Sequence, residues 1–385
     1  MIIYLICFAL SCSSFYLSCK SKNKVVTVMF EILGILIPCI LAGCRDLSVG
    51  TDIKVYLKNI FDASLSTDSW NEYLNYGWFN GWKIVYVKDY EIAFIGVVYI
   101  ISKTFLNIHV VMFFIEILMI LPIYAGVKKV FKNNGSAIAF SMLVYYLSMF
   151  NSGLNIMRQY IAISFLFLSV ICLINKKNIK CYIYIIISIL FHKSSLIGIL
   201  ILILYNIMNS SIKFKIKIGR YYIEVKKILI IGISIVGLFI IYKMDIIMKL
   251  LDAVNLSEYS SYISGSFSMN LFRIIMVIPI LFVMYRNKNN IFKEDNIYFY
   301  LLIYIISQLT IQLASIKTYT IRISYFFKIF DTIFLVIICK NNLKIKKSSS
   351  FIVIGTLLVY WIYIYVIGKS GQTVPYIIGI WTKYV

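Results

Sequence analysis

Long apolar runs separated by short polar interruptions recur along the 385-residue chain from Ile2 to Ile367. A helix needs roughly 17 to 25 mostly apolar residues to cross the hydrocarbon core of a bilayer. The runs predict helices at Ile2 to Cys19, Val25 to Cys44, His109 to Val127, Ser136 to Phe150, Ile156 to Ile174 and Cys181 to Phe191. Further helices are expected at Ser195 to Met208, Ile228 to Tyr242, Leu271 to Tyr285, Ile297 to Ala314, Ile323 to Cys339 and Phe351 to Ile367. Cys181 to Phe191 and Ser195 to Met208 are short for full crossings, which leaves tilt, extension into their flanks, or a re-entrant pair. The expected fold is all-α, a polytopic integral membrane protein of about twelve transmembrane helices forming one membrane domain over residues 1–385.

The polar interruptions carry the topology. Basic clusters fall at Lys20, Lys22 and Lys24; at Lys128, Lys129 and Lys132; at Lys176, Lys177 and Lys180; from Lys213 through Arg220 to Lys227; at Arg286, Lys288 and Lys293; and at Lys340, Lys344, Lys346 and Lys347. Loops rich in Lys and Arg stay cytoplasmic. The segment Glu91 to Asn107 is apolar enough to cross, yet a crossing there would put the Lys128 to Lys132 cluster outside. Read instead as a surface or re-entrant helix within an extracytoplasmic loop spanning residues 45–108, it leaves every basic cluster inside. Both termini are then outside, with further outer segments at Asn151 to Asn155, His192 to Ser194, Met244 to Asn270 and Ser315 to Arg322.

Composition agrees with lipid as the solvent. With 61% hydrophobic and 14% charged residues, the chain cannot cover a water-facing surface. The net charge of +22 comes from dispersed clusters instead of a continuous basic face, so no nucleic-acid partner is expected. The eight cysteines lie in or beside apolar runs and indicate no disulfide framework. Met1 leads directly into an apolar stretch without a basic n-region, as expected of a retained helix.

The remaining polar residues gather at one depth. Arg45, Asp46, Asp52, Glu91, Arg158, Gln159, His192, Arg273 and Arg322 all fall at or just within the outer ends of predicted helices. A charge within a span costs about 2.5 to 3.5 kcal/mol on insertion scales, so each is a candidate for function. Arg158 lies about one turn into an apolar helix; it either serves chemistry or snorkels to headgroups. In Arg45-Asp46-Leu47-Ser48-Val49-Gly50-Thr51-Asp52, Gly50 and Thr51 predict a tight turn whose N–H groups face an oxygen-rich ligand, and the aspartates orient an arginine or take a proton. The alternative is a capped turn with Asp52 opening a helix from Ile53 to Ile60. His192 sits at a crown between two helices, as a structural residue or a general base. Arg273 and Arg322, with Lys317 nearby, have the donor geometry for phosphate or pyrophosphate. Two histidines without HExxH, DxD or a Cys cluster predict no metal site. Trp70, Tyr73, Tyr76, Trp78, Phe79, Trp82, Tyr86 and Tyr90 form an aromatic belt suited to interfacial anchoring or to stacking on sugar rings.

Three segments resemble the EpsG family of Wzy-like membrane polymerases of bacterial exopolysaccharide and capsule assembly. They are Arg45 through Tyr56 after the second helix, Asn155-Ile156-Met157-Arg158-Gln159-Tyr160-Ile161-Ala162 opening a middle helix, and Phe191-His192-Lys193-Ser194-Ser195-Leu196. The chain departs from the family pattern at Asp46 and at Ile92-Ala93-Phe94, where a Pro-Gly-Tyr-like stretch often follows the glutamate, so no role is carried over to Glu91. The C-terminal third agrees in outline through Arg322, Tyr325, Phe326 and Pro375-Tyr376. The resemblance implies transfer of a growing glycan from undecaprenyl pyrophosphate onto another lipid-linked repeat unit at the outer leaflet of the bacterial cytoplasmic membrane. It further implies membrane lipids and other polysaccharide-assembly and chain-length proteins as partners, no cofactor, and independence of metal. Arg158, His192 and Asp52 are the expected catalytic residues; Arg45, Asp46, Thr51, Tyr56, Gln159, Arg273 and Arg322 are expected to bind substrate. A flippase for lipid-linked oligosaccharides and a membrane O-acyltransferase are the competing classes.

Overall fold

The computed structural model describes residues 1–132, 134–209, 215–218, 221–242, 270–312, 321–341 and 344–379. The outer segment expected from Met244, Lys317 and most of Ser315 to Arg322 lie outside the described residues. The chain forms two compact units, residues 1–198 with 357–385, and residues 199–356.

The first unit is a helix set: α1 (Ile2–Lys20), α2 (Lys24–Gly43), α3 (Lys58–Ser66), α4 (Trp70–Asn75), α5 (Ile92–Phe105), α6 (Ile108–Phe131), α7 (Gly135–Tyr145), α8 (Asn151–Gly153), α9 (Met157–Ile174) and α10 (Asn178–Phe191). A π turn, Ile53–Leu57, leads into α3, and a second, Tyr146–Phe150, joins α7 to α8. On α1 the buried positions Tyr4, Phe8, Ser11, Phe15 and Ser18 follow the helical repeat, while Ile6, Leu10 and Leu17 on the opposite face are exposed. A helix apolar all round needs lipid on its outer face. Between helices, hydroxyls replace the hydrophobic drive that lipid removes. Ser11 Oγ donates to the Gly34 carbonyl at 2.6 Å, Ser188 Oγ to Ala162 at 2.6 Å, and Ser169 Oγ to Cys181 at 2.8 Å.

Five helices among the described residues are long and apolar enough to cross a membrane: Ile2–Lys20, Lys24–Gly43, Ile108–Phe131, Met157–Ile174 and Lys347–Ile367. Several expected spans are interrupted for identifiable reasons. The one expected at Leu271 to Tyr285 breaks at Met276 into Leu271–Ile275 and Val277–Arg286, because Pro279 cannot bond to the Ile275 carbonyl and crowds it. The one expected at Ile323 to Cys339 splits into Ile321–Lys328 and Asp331–Cys339, and Ser324 and Thr332 each bond back to the carbonyl three residues earlier.

The ends of the first unit differ in charge. One end collects Lys20 closing α1, Lys24 opening α2, Lys128 and Lys129 in the last turn of α6, and Lys177 before α10. There Lys128 pairs with Glu31, and Lys129 Nζ lies 3.6 Å from Cys172 Sγ near the end of α9. The other end gathers the start of α1, the end of α2, the starts of α6 and α9 and the C-terminal segment, through Tyr4 to Thr373, His109 to the Gly43 carbonyl, and Arg45 to Met157. Both ends of α5 are held here: Glu91 at its start reaches Arg158, and Asn107 just past its end caps α6 beside His109. Helix α5 therefore lies across this end of the unit. A short hairpin, β1 (Gly77–Phe79) with β2 (Ile84–Tyr86), precedes it, pairing Trp78 with Val85.

Candidate functional site

The polar end of the first unit is built around the start of α9. Asn155, two residues before it, accepts three hydrogen bonds on Oδ1: from Thr51 N and Thr51 Oγ1, each at 2.7 Å, and from Asp52 N at 3.4 Å. One amide oxygen thus locks the Arg45 to Asp52 turn onto α9. The turn can approach because Gly50 adopts φ +101°, where a side chain would be strained and its Cβ would meet the Leu154 carbonyl at 3.0 Å. Within the turn, Asp46 Oδ1 accepts from Ser48 N at 2.8 Å and Ser48 Oγ at 2.6 Å, which holds its carboxyl below the usual carboxylate range.

Arg158 projects from the first turn of α9. Its Nη1 is bonded to Glu91 Oε2, and its guanidinium carbon lies 4.8 Å from the Tyr56 ring centroid and 4.7 Å from that of Tyr90. Two electron-rich faces and one carboxylate therefore fix the cation. Tyr56 is buried and donates to Asp52 Oδ2 at 2.7 Å. Burial and the adjacent Asp52 push its hydroxyl well above the ordinary tyrosine range, so it remains a donor at physiological pH. Asp52 makes no side-chain cap for the following helix, so the capped-turn reading gives way to a carboxylate held by a phenol. Trp78 of the hairpin stacks on Tyr90 at 5.8 Å and 14°. Beyond it, Phe79 and Trp82 are 68% and 93% exposed, a surface with aromatic faces still open.

The other expected residues are placed differently. His192 closes α10, and its Nδ1 faces Ser194 N at 3.2 Å and Ser194 Oγ at 2.6 Å. The antiparallel register of α9 and α10, set by Ser188 with Ala162 and Ser169 with Cys181, brings His192 level with Arg158. Gln159 is buried beside Arg158 in α9. Arg45 is 1% exposed; its Nη2 lies 3.6 Å from Met157 Sδ, and burial pulls its pKa down. Arg273 and Arg322 belong to the second unit, where Arg273 Nη1 donates to the Ile311 carbonyl at 2.6 Å and Arg322 stands in the first turn of Ile321–Lys328.

Sequence reasoning missed two contributors. The sequence marks Glu91 only as a charge at the outer level, whereas in the structure it is the counter-charge of Arg158. Asn155 stands within a motif that does not mark it as a clamp, the role its Oδ1 takes in the structure. Away from the cluster, Glu116 is a single carboxylate in the otherwise apolar body of α6. Among the described residues no group of acids, cysteines and histidines is arranged to hold a metal ion.

Long apolar helices with a compact polar cluster at one end define a multi-pass membrane protein. The model of the EpsG family matches residues 27–378, nearly the whole length, and the chain belongs to that family. Membership of this family suggests, in general terms, a Wzy-like polysaccharide polymerase role acting on lipid-linked saccharide. No curated protein and no solved structure matches the chain.

Proposed function

We propose that the chain joins undecaprenyl-pyrophosphate-linked repeat units at the outer leaflet of the bacterial cytoplasmic membrane, in exopolysaccharide or capsule synthesis. The observation that carries this reading is the Arg158 cluster, which unites a fixed cation, a carboxylate and stacking aromatics at the end of the unit away from the lysine clusters. In this reading those clusters are cytoplasmic, so the site and both termini are extracytoplasmic and the topology has about twelve spans.

In the reaction, a hydroxyl of the acceptor sugar attacks the anomeric carbon of the donor glycan. The bond from that carbon to pyrophosphate breaks, and the electron pair leaves with the phosphate. Asp52, held by Tyr56, takes the proton, and His192 at the same level is the second group suited to do so. Arg158 stabilises the charge developing on the departing pyrophosphate, assisted by Arg45; these cations act where other transferases use a metal. Asp46, Thr51, Tyr56 and Gln159 line the acceptor side.

The test is the glycan-lipid profile of cells lacking the chain and complemented with wild type or Arg158→Ala at equal membrane levels. Both the deletion and Arg158→Ala are expected to accumulate single lipid-linked repeats on the outer leaflet, with polymer reduced about 100-fold or more. Persistence of long polymer would overturn the reading. Single repeats retained on the inner leaflet would indicate a flippase.

A further inference from the structure

After the helix Lys347–Ile367, residues 368–379 run across the polar end of the first unit, and in this stretch only Thr373 and Gly379 are buried. Buried carbonyl and hydroxyl groups need partners. The Thr373 carbonyl accepts from Tyr4 Oη of α1 at 2.6 Å, and Thr373 Oγ1 accepts from Asn151 Nδ2 of α8 at 3.1 Å. The Asn151 amide is oriented from its other side, where Trp361 Nε1 donates to Oδ1 at 2.7 Å. Thr373 therefore anchors the C-terminal segment to two helices at once.

On either side of this anchor the segment meets the site. Before it, Gly371 adopts φ +69° and packs on Asn155, whose Cβ, Cγ and Nδ2 a Cβ at Gly371 would meet at 3.3 to 3.4 Å. The Gln372 carbonyl accepts from Gly50 N at 3.3 Å. After it, the backbone pairs antiparallel with the stretch around Arg45. Asp46 N donates to Ile377 O and Gly379 N to Cys44 O, each at 2.8 Å, so the two bonds flank Arg45. Gly379 is so close that a Cβ there would meet the Arg45 carbonyl at 2.8 Å and His109 Cε1 at 2.5 Å.

The Arg45 guanidinium is buried within the unit, with Nη2 3.6 Å from Met157 Sδ, and among the described residues no carboxylate lies within ion-pair distance of it. Its direction is thus set by its own backbone, and that backbone is set by the paired C-terminal segment. A misplacement of about 1 Å at a reacting centre can cost about 100-fold in rate.

We propose that Thr373 is a positioning residue: it pins the C-terminal segment against the turn from Arg45 to Asp52, so that Arg45 keeps the place from which it contacts the pyrophosphate of the lipid-linked donor. This rests on the reading of Arg45 as a phosphate contact and deepens it. A tie that served stability alone would lower the melting temperature and leave the kinetics of the folded protein unchanged.

The experiment uses full-length protein in proteoliposomes supplied with lipid-linked repeat units, with initial rates measured against substrate concentration. Thr373→Val keeps the shape of the side chain and removes the hydroxyl that Asn151 reaches. Folded and at wild-type level, it is expected to raise KM about tenfold or more, and Thr373→Ser to restore most of the loss. A folded Thr373→Val with wild-type KM would overturn the proposal, as would an equal rise in Thr373→Ser, which would assign the effect to the methyl group. If Thr373→Val does not fold, Gly379→Ala decides, because its methyl presses on the Arg45 carbonyl away from the anchor. The same rise in KM supports the proposal; a wild-type KM, or failure of this variant to fold as well, overturns it. Wild-type protein that makes no polymer would instead refute the polymerase reading.

Discussion

Arg158 shows how a single membrane-embedded cation is made usable. Snorkelling would have left it free to wander among headgroups, whereas Glu91 and the rings of Tyr56 and Tyr90 fix its position. Because the pair is only slightly exposed, removing the acid leaves a poorly solvated charge, and Arg158 is then expected to turn away from Asp52. Glu91→Gln should therefore lower polymer yield about tenfold or more while the chain remains in the membrane. Comparing lipid-linked repeats with long polymer in complemented cells checks this; wild-type yield would mean that the aim of Arg158 does not depend on Glu91. The segment that follows Glu91 departs from the family pattern, yet the acid itself is in place. One amide, Asn155, has a comparable reach, since it ties the Thr51 and Asp52 backbone to the start of α9.

At the scale of elements, the site depends on a turn docking against a helix start. Asp46 spends its carboxylate on closing the turn with Ser48, and Gly50 lets the backbone approach Leu154. Gly50→Ala introduces both a strained φ and a contact with a carbonyl, at a cost of about 1 to 3 kcal/mol. The expected result is a lower unfolding temperature in detergent together with loss of polymer; an unaltered melting curve would show that the turn is not held as described. The aromatic hairpin of β1 and β2 meets the site through Trp78 on Tyr90, so the belt read from sequence is divided. Its inner face packs on the site, and its outer face stays exposed at Phe79, Trp82 and Ile84.

At the scale of the whole molecule, charge separates the two ends of the first unit, and the separation makes a topological prediction. Trypsin added outside intact protoplasts should cut at the exposed Lys83 or Lys88 and spare the exposed Lys22, Lys24 and Lys177. Cleavage at Lys22 or Lys177 from outside would invert the topology and move the site to the cytoplasm. The class of the protein, most helix positions and the gathering of the first unit's polar residues at one end were legible in the sequence, because hydropathy and charge act residue by residue along a helix of known rise. Helix breaks were less legible, since Pro279 signals an interruption but nothing in the local pattern shows that Ser324 and Thr332 bond back to the carbonyl three residues earlier. The pairings that make a site were not legible at all. Glu91 finds Arg158 across 67 residues, and Asn155 finds Thr51 across 104. Sequence alone determined which groups must leave the lipid and at what level they do so. Tertiary structure decided which of them meet, because direction and distance between side chains on different helices depend on how the helices cross and rotate, and no local pattern encodes that.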